Sequence, residues 1–242
     1  MKVVFVGPTV PDAARLTGDK LTIRAPAGQG DILRAVRDGA AAIGLIDGNF
    51  EYVAPVWHKE ILFALSEGVA VFGSASMGAL RAAECAAFGM VGIGEIYRQY
   101  ATGELEDDSD VALLHAPEEL GYAPLTLPLV NIRSTLRRLL EAQSLSVEDC
   151  ARIAEAAASI FYKERTFAAI AARATIMANA DLAIGRLRTG YMDQKRADGL
   201  ELLKVLAGQP DVRQLTARDW EFRSTSLWER AFGYASPTNT PA

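Results

Sequence analysis

Apolar and polar positions along the chain fall into two regimes. Through the first half, short β-branched runs (KVVFVG, LTIRA, AAIGLIDG, VAVFGSAS and DVALLH) alternate with segments at helical spacing, the pattern of a mainly parallel sheet with crossover helices. The helices show their ends: Asp31 is placed to cap DILRAVRDG with Gly39 just past it, and Pro55 suits the first turn of a helix running through VWHKEILFALSEG to Gly68. From Pro128 onward the strand signal stops. Long amphipathic patterns take over, LVNIRSTLRRLL and then SVEDCARIAEAAASIF, the second opened by an S-x-x-D pattern at Ser146. ADGLELLKVLAG reads as a further helix, and the aromatics of ARDWEFRSTSLWERAF are expected to dock that segment onto something. The expectation is an α/β fold over residues 1–125 carrying the active site, a helical domain over 126–235 packed on it, and a disordered tail, SPTNTPA, over 236–242.

Composition narrows the function classes. Of 242 residues, 50% are hydrophobic and 23% charged, enough for a substantial core. A net charge of -5 argues against a nucleic-acid partner, which needs Lys and Arg gathered on one face. No apolar run approaches the roughly 20 residues of a membrane span, and MKVVFVGPTV, with one lysine and an apolar run only from Val3 to Val6, is no secretory signal. Cys85 and Cys150 lack metal-ligand or disulfide-framework spacing. These features predict a cytoplasmic protein with protein or small-molecule partners, no metal and no cofactor. Gly28-Gln29-Gly30 lacks the third glycine of a dinucleotide fingerprint, since Leu33 stands there. The acidic run ELEDDSD, Glu104 to Asp110, reads as a solvated turn more than as a metal or partner site.

In an open α/β sheet, ligands bind outside the carboxyl ends of the strands. The residues there are Gly7, Pro8 and Thr9 after the first run; Asp47, Gly48 and Asn49 after the third; Ser74 and Ser76 after the fourth; and His115 after DVALLH. Ser76 stands at a strand-to-helix corner, where the N–H groups of Met77 and Gly78 would lie beside it to hold an oxyanion. Ser74-Ala75-Ser76-Met77-Gly78 departs from the nucleophile elbow G-x-S-x-G at its first position. Ser76 is therefore either a nucleophile or a helix cap. The bases on offer are Lys59, with Trp57 and Phe63 as apolar neighbours; His58, on the face of Ile61, Leu62 and Leu65; and His115, which with Asp47 would complete a serine-histidine-aspartate arrangement. Arg81 and Glu84 have the spacing of a helical ion pair, and Cys85, among alanines, reads as core.

VFVGPT, QGDI, AIGLIDG, VWHKEILFALSEG, VFGSASMGALRAAE, FGMVGIG and LEDDSDVA, in that order, resemble the core of the TfuA-like proteins over about residues 3 to 135, and more loosely around FYKERT and QKRAD. The resemblance implies a partner of YcaO enzymes, which use ATP to activate a peptide amide and exchange its oxygen for sulfur. It also implies a hydrolase that accepts a ThiS-type sulfur-carrier protein and releases sulfide from its C-terminal thiocarboxylate, using a serine-lysine pair that maps onto Ser76 and Lys59. A thiocarboxylate is anionic near neutral pH, so its charge must be neutralised before a nucleophile attacks; Arg81 or a protonated histidine is the candidate. Two rivals stand beside this: a non-catalytic YcaO adaptor with Ser76 only a cap, and a generic serine esterase, which would need a deep apolar pocket at the serine.

Overall fold

The computed structural model describes residues 1–49, 53–174, 180–215 and 217–233; the tail at 236–242 lies outside them. Five strands form one all-parallel sheet: β1 (Lys2–Phe5), β2 (Thr22–Arg24), β3 (Ala42–Leu45), β4 (Ala70–Ser74) and β5 (Val91–Ile93), in the order β2-β1-β3-β4-β5. Helices α1 (Ala13–Thr17), α2 (Asp31–Arg37), α3 (His58–Ser66) and α4 (Met77–Cys85) make the crossovers, and α5 (Glu95–Thr102) follows β5. The α-helical remainder comprises α6 (Leu129–Glu141), α7 (Val147–Ala158), α8 (Phe167–Arg173), α9 (Ala180–Thr189), α10 (Gln194–Ala207) and α11 (Ser226–Phe232). The fold class is as the alternation of runs predicts.

Continuous apolar runs make these strands because both faces of the sheet are covered. Val3, Phe5, Ile43, Leu45 and Val71 pack with Ile32, Leu33 and Phe63 on one face. Val4, Val6, Ile46 and Phe72 pack on the other against Leu202, Leu203 and Leu206 of α10. At Gly44 a Cβ would lie 2.7 Å from Leu202 Cδ2, so the absent side chain lets α10 settle onto the sheet. Trp228 of α11 is fully buried in the first of these cores. Helices α6 to α9 instead bury their apolar faces against one another, around Ile132, Ile153, Ile170 and Leu187. The strand-free stretch after residue 126 thus contributes a helical layer of its own and two helices that cover the sheet.

Several sequence expectations are corrected. DVALLH forms no strand: a 3-10 turn over Asp108–Asp110 leads into irregular chain, and His115 makes only an isolated bridge to Pro124. The fifth strand is Val91–Ile93. The helix after Pro55 begins at His58, where the Glu60 carboxylate receives the Trp57 N–H at 3.2 Å. Asp31 is the first residue of α2, not its cap, and its carboxylate binds the Gly28 N–H at 2.8 Å. Ser146 does cap α7, accepting from the Asp149 N–H at 3.0 Å, and Gly39 and Gly68 take the left-handed conformations (φ +92° and +76°) that end α2 and α3.

A chamber at the carboxyl edge of the sheet

The chain runs from β1 outward to β2 and returns across β1 to β3, so the loops after β1 and β3 part in opposite directions; such reversals are where open α/β sheets leave a ligand crevice. A chamber of about 40 Å³ lies there, lined by Pro8, Asp47, Gly48, Ser76, His115 and Lys195 among others. Of the predicted residues it brings together Asp47, Gly48, Ser76 and His115. Lys195, from the first turn of α10, is an addition that the strand ends do not announce.

Ser76 reaches the chamber through a tight corner. Ala75 before it is fully buried at φ +65°, a left-handed conformation that costs a residue with a side chain about 1–3 kcal/mol and persists only where the surroundings enforce it. The corner closes because two glycines bring backbones together: a Cβ at Gly73 would lie 2.1 Å from the Gly78 carbonyl oxygen, and one at Gly78 would lie 1.8 Å from that of Leu45. Ser74 is spent elsewhere, its hydroxyl donating to the Asp198 carbonyl at 3.0 Å. The Ser76 hydroxyl makes no capping hydrogen bond with the helix it begins. Of the two expected oxyanion donors, Gly78 is excluded, since its N–H donates to the Ile46 carbonyl at 3.1 Å. The N–H of Met77 has no hydrogen-bond acceptor among the described residues.

Lys195 is buried to 3% exposure, with Nζ donating to the Val111 carbonyl at 2.8 Å. Burial away from water holds its pKa below the ordinary lysine value, against the opposing pull of the Asp47 and Asp193 carboxylates. Its place near the positive end of α10 disfavours the ammonium further. Its position is fixed from several sides. The Lys195 N–H donates to Asn131 Oδ1 at 3.0 Å, Asp193 caps the helix by accepting from the Arg196 N–H, and Arg196 grips Asp12 with two bonds of 2.7 and 3.1 Å. Asp47 serves as a brace: its carboxylate receives the Gly7 and Thr9 N–H groups at 2.9 and 3.0 Å and the Thr9 hydroxyl at 2.6 Å. It is not bonded to His115, whose Nδ1 lies 2.8 Å from the Ala116 carbonyl; the serine-histidine-aspartate arrangement is absent.

Three other candidates stand outside the chamber. Lys59 lies with its Nζ 5.3 Å from the centre of the Phe222 ring. His58 is exposed although it shares a face with Ile61, Leu62 and Leu65, and its Nε2 meets Glu84 at 2.8 Å. Arg81 donates to Glu84 at 2.6 Å and to the Val56 carbonyl at 3.2 Å. Arg81 and Glu84 line a neighbouring groove of about 610 Å³, which begins at Met77 and is rimmed by Glu106, Asp107 and Asp108. On the far side of Lys195 a second cavity of about 360 Å³ is walled by Leu125, Leu127, Phe167 and Tyr191. Among the described residues no group of three or more His, Cys, Asp or Glu is arranged to hold a metal, and no helix is long and apolar enough to cross a membrane.

No curated protein matches the chain. Residues 47–166 match the model of the family described as TfuA-like protein. That span starts at the brace Asp47 and carries Ser76 and His115, while Lys195 lies beyond it. Across it, the chain belongs to the TfuA-like family.

Proposed function

We propose that this protein hydrolyses the C-terminal thiocarboxylate of a ThiS-type sulfur-carrier protein, with Ser76 as nucleophile and Lys195 as its base, and so supplies sulfide to a YcaO partner for thioamide formation in a peptide backbone. One observation carries the reading: a serine whose hydroxyl is not used to cap its helix lines the same small chamber as a fully buried lysine. Lysine serves as a base only when neutral, and burial favours that form by lowering its pKa.

The same lysine meets the difficulty of the anionic substrate. Within a desolvated chamber an ammonium and a thiocarboxylate are both disfavoured, so Lys195 passes a proton to the sulfur and leaves a neutral amine beside a neutral thioacid. Ser76 Oγ then adds to the carbonyl carbon while Lys195 takes its proton. Collapse of the tetrahedral intermediate breaks the C–S bond, and the departing hydrosulfide takes that proton from Lys195 to leave as hydrogen sulfide. Water cleaves the resulting ester. The carboxylic acid formed returns a proton to Lys195, which restores the starting state. The Met77 N–H at the corner is the donor available to the oxyanion.

The esterase alternative calls for a deep apolar pocket at the serine, whereas the chamber there is small and lined by the polar side chains of Asp47, His115 and Lys195. The test is incubation with thiocarboxylated carrier, following intact carrier mass and sulfide. Ser76→Ala and Lys195→Met should lower turnover roughly a thousandfold, while Lys59→Ala retains it. Sulfide release by Ser76→Ala at the normal rate would return the serine to the role of a cap and the protein to that of an adaptor.

A further inference from the structure

His115 reaches the chamber from a flap that crosses the carboxyl edge of the sheet. Two short arms, around Leu114–Ala116 and Ala123–Leu125, are tied by the Ala116 N–H to the Ala123 carbonyl at 2.8 Å and the Leu125 N–H to the Leu114 carbonyl at 2.8 Å. The Leu114 N–H is held by the Thr126 hydroxyl at 2.7 Å. The imidazole stands edge-on to Tyr122, with centroids 5.6 Å apart. Its Nδ1 faces the Ala116 carbonyl at 2.8 Å, and a carbonyl oxygen only accepts, so Nδ1 carries the hydrogen and Nε2 is left as the acceptor. Ser76, Lys195 and this imidazole come from three different elements and line one chamber.

Resting on the serine-lysine reading above, we infer that His115 is the base of the second half-reaction, activating the water that cleaves the Ser76–carrier ester. The two halves make unequal demands. Hydrosulfide is a good leaving group and departs with the proton Lys195 already carries, whereas water is a poor nucleophile until a base removes its proton. Nε2 takes a proton from water as the new C–O bond forms. It returns that proton to Ser76 Oγ as the ester bond breaks, giving the carrier's carboxylic acid and the free serine.

Rapid mixing of the full chain with thiocarboxylated carrier tests this, with sulfide and intact enzyme mass read together for wild type, His115→Ala and His115→Gln. Both variants should release a burst of about one equivalent of sulfide and stall as the covalent ester, with steady turnover lowered about a hundredfold. Added imidazole should hasten decay of the stalled ester of His115→Ala, which a merely structural role would not produce. Wild-type turnover by the variants without an adduct overturns the assignment, as does loss of the burst itself. If Ser76→Ala still releases sulfide, the serine-lysine reading fails, and this inference falls with it.

Discussion

At the scale of single residues, the group on which the proposed chemistry turns is one that a reading of strand ends does not select. Ser76, Asp47 and His115 stand in or beside apolar runs that advertise a sheet edge. Lys195 comes to them only through the path of the chain. A trace of it exists in the sequence, since Lys195 falls on the stripe of Gly199, Leu202 and Leu206 that α10 buries, and a lysine on an apolar stripe near a helix start has no solvent to enter. Lys59 is passed over for the matching reason: its neighbours Trp57 and Phe63 are apolar, yet they belong to a cluster with Phe222 and Phe232 that does not line the serine's chamber. The buried amine also marks stability. Because the folded pKa of Lys195 is lowered, the unfolded chain binds a proton that the folded chain has released at any pH between the folded value and the ordinary lysine value near 10.4. Stability therefore rises with pH through that window and is lost as pH falls through the folded value. Urea midpoints measured from neutral pH to about 9.5 should climb more steeply for wild type than for Lys195→Met, and parallel profiles would show that the lysine is not desolvated. Cys85 and Cys150, pushed up by burial, bring the opposite slope from the ordinary thiol range near 8.5 upward, and Tyr100 and Tyr191 do so above about 10, but these groups are common to both proteins, so the difference between the profiles reports the lysine. Cys85 provides a simpler check on the same helix as the serine. Burial raises its thiol to about 11, so it should resist alkylation at pH 8 in the folded protein and react once urea unfolds the chain.

At the scale of elements, the corner between β4 and α4 is where local sequence and function meet. Its departure from G-x-S-x-G matters little, because the close approaches fall at Gly73 and Gly78, not at Ser74. Gly78 is the more demanding of the two, since a methyl there would meet the Leu45 carbonyl oxygen at 1.8 Å and its carbon at 2.5 Å. Backbone inside a central strand cannot yield, so Gly78→Ala should cost about 3 kcal/mol in denaturant unfolding. A variant of wild-type stability would mean the corner is looser than this geometry. β1, β3 and β4 are legible because their apolar runs are buried on both faces. Val91–Ile93 is harder to see: it has three residues, with Gly92 inside and Gly94 after it, and it pairs on one side only. DVALLH misleads for a physical reason as well. Val111 and Ala112 are buried, but against the chamber and the α5 region, so an apolar run is present without a neighbouring strand to pair with it.

At the scale of the whole molecule, the chain closes on itself in a way that its two regimes conceal. A boundary near residue 125 separates strands from helices in sequence, while the sheet takes one cover from α10 and part of the other from α11. The region matching the family model ends at Thr166, yet the lysine and both covers come later. Trp228 shows how far the core depends on this return. It is fully buried, with ring centroids 5.5 Å from Phe63, 5.2 Å from Phe222 and 4.6 Å from Phe232. Its indole Nε1 has no hydrogen-bond partner among the described residues, so its contribution is packing. Trp228→Ala should then cost about 3–5 kcal/mol. Trp228→Phe should cost clearly less, since it keeps a ring in the cluster and sacrifices no hydrogen bond. The two melting curves, recorded beside sulfide release at a temperature where both variants are folded, separate the roles of the C-terminal elements. On the proposed reading α10 carries chemistry and α11 only stability, so a folded Trp228→Ala protein should turn over the carrier at nearly the wild-type rate. A large loss of activity in that folded variant would mean that the face opposite α10 also governs the geometry of the serine corner.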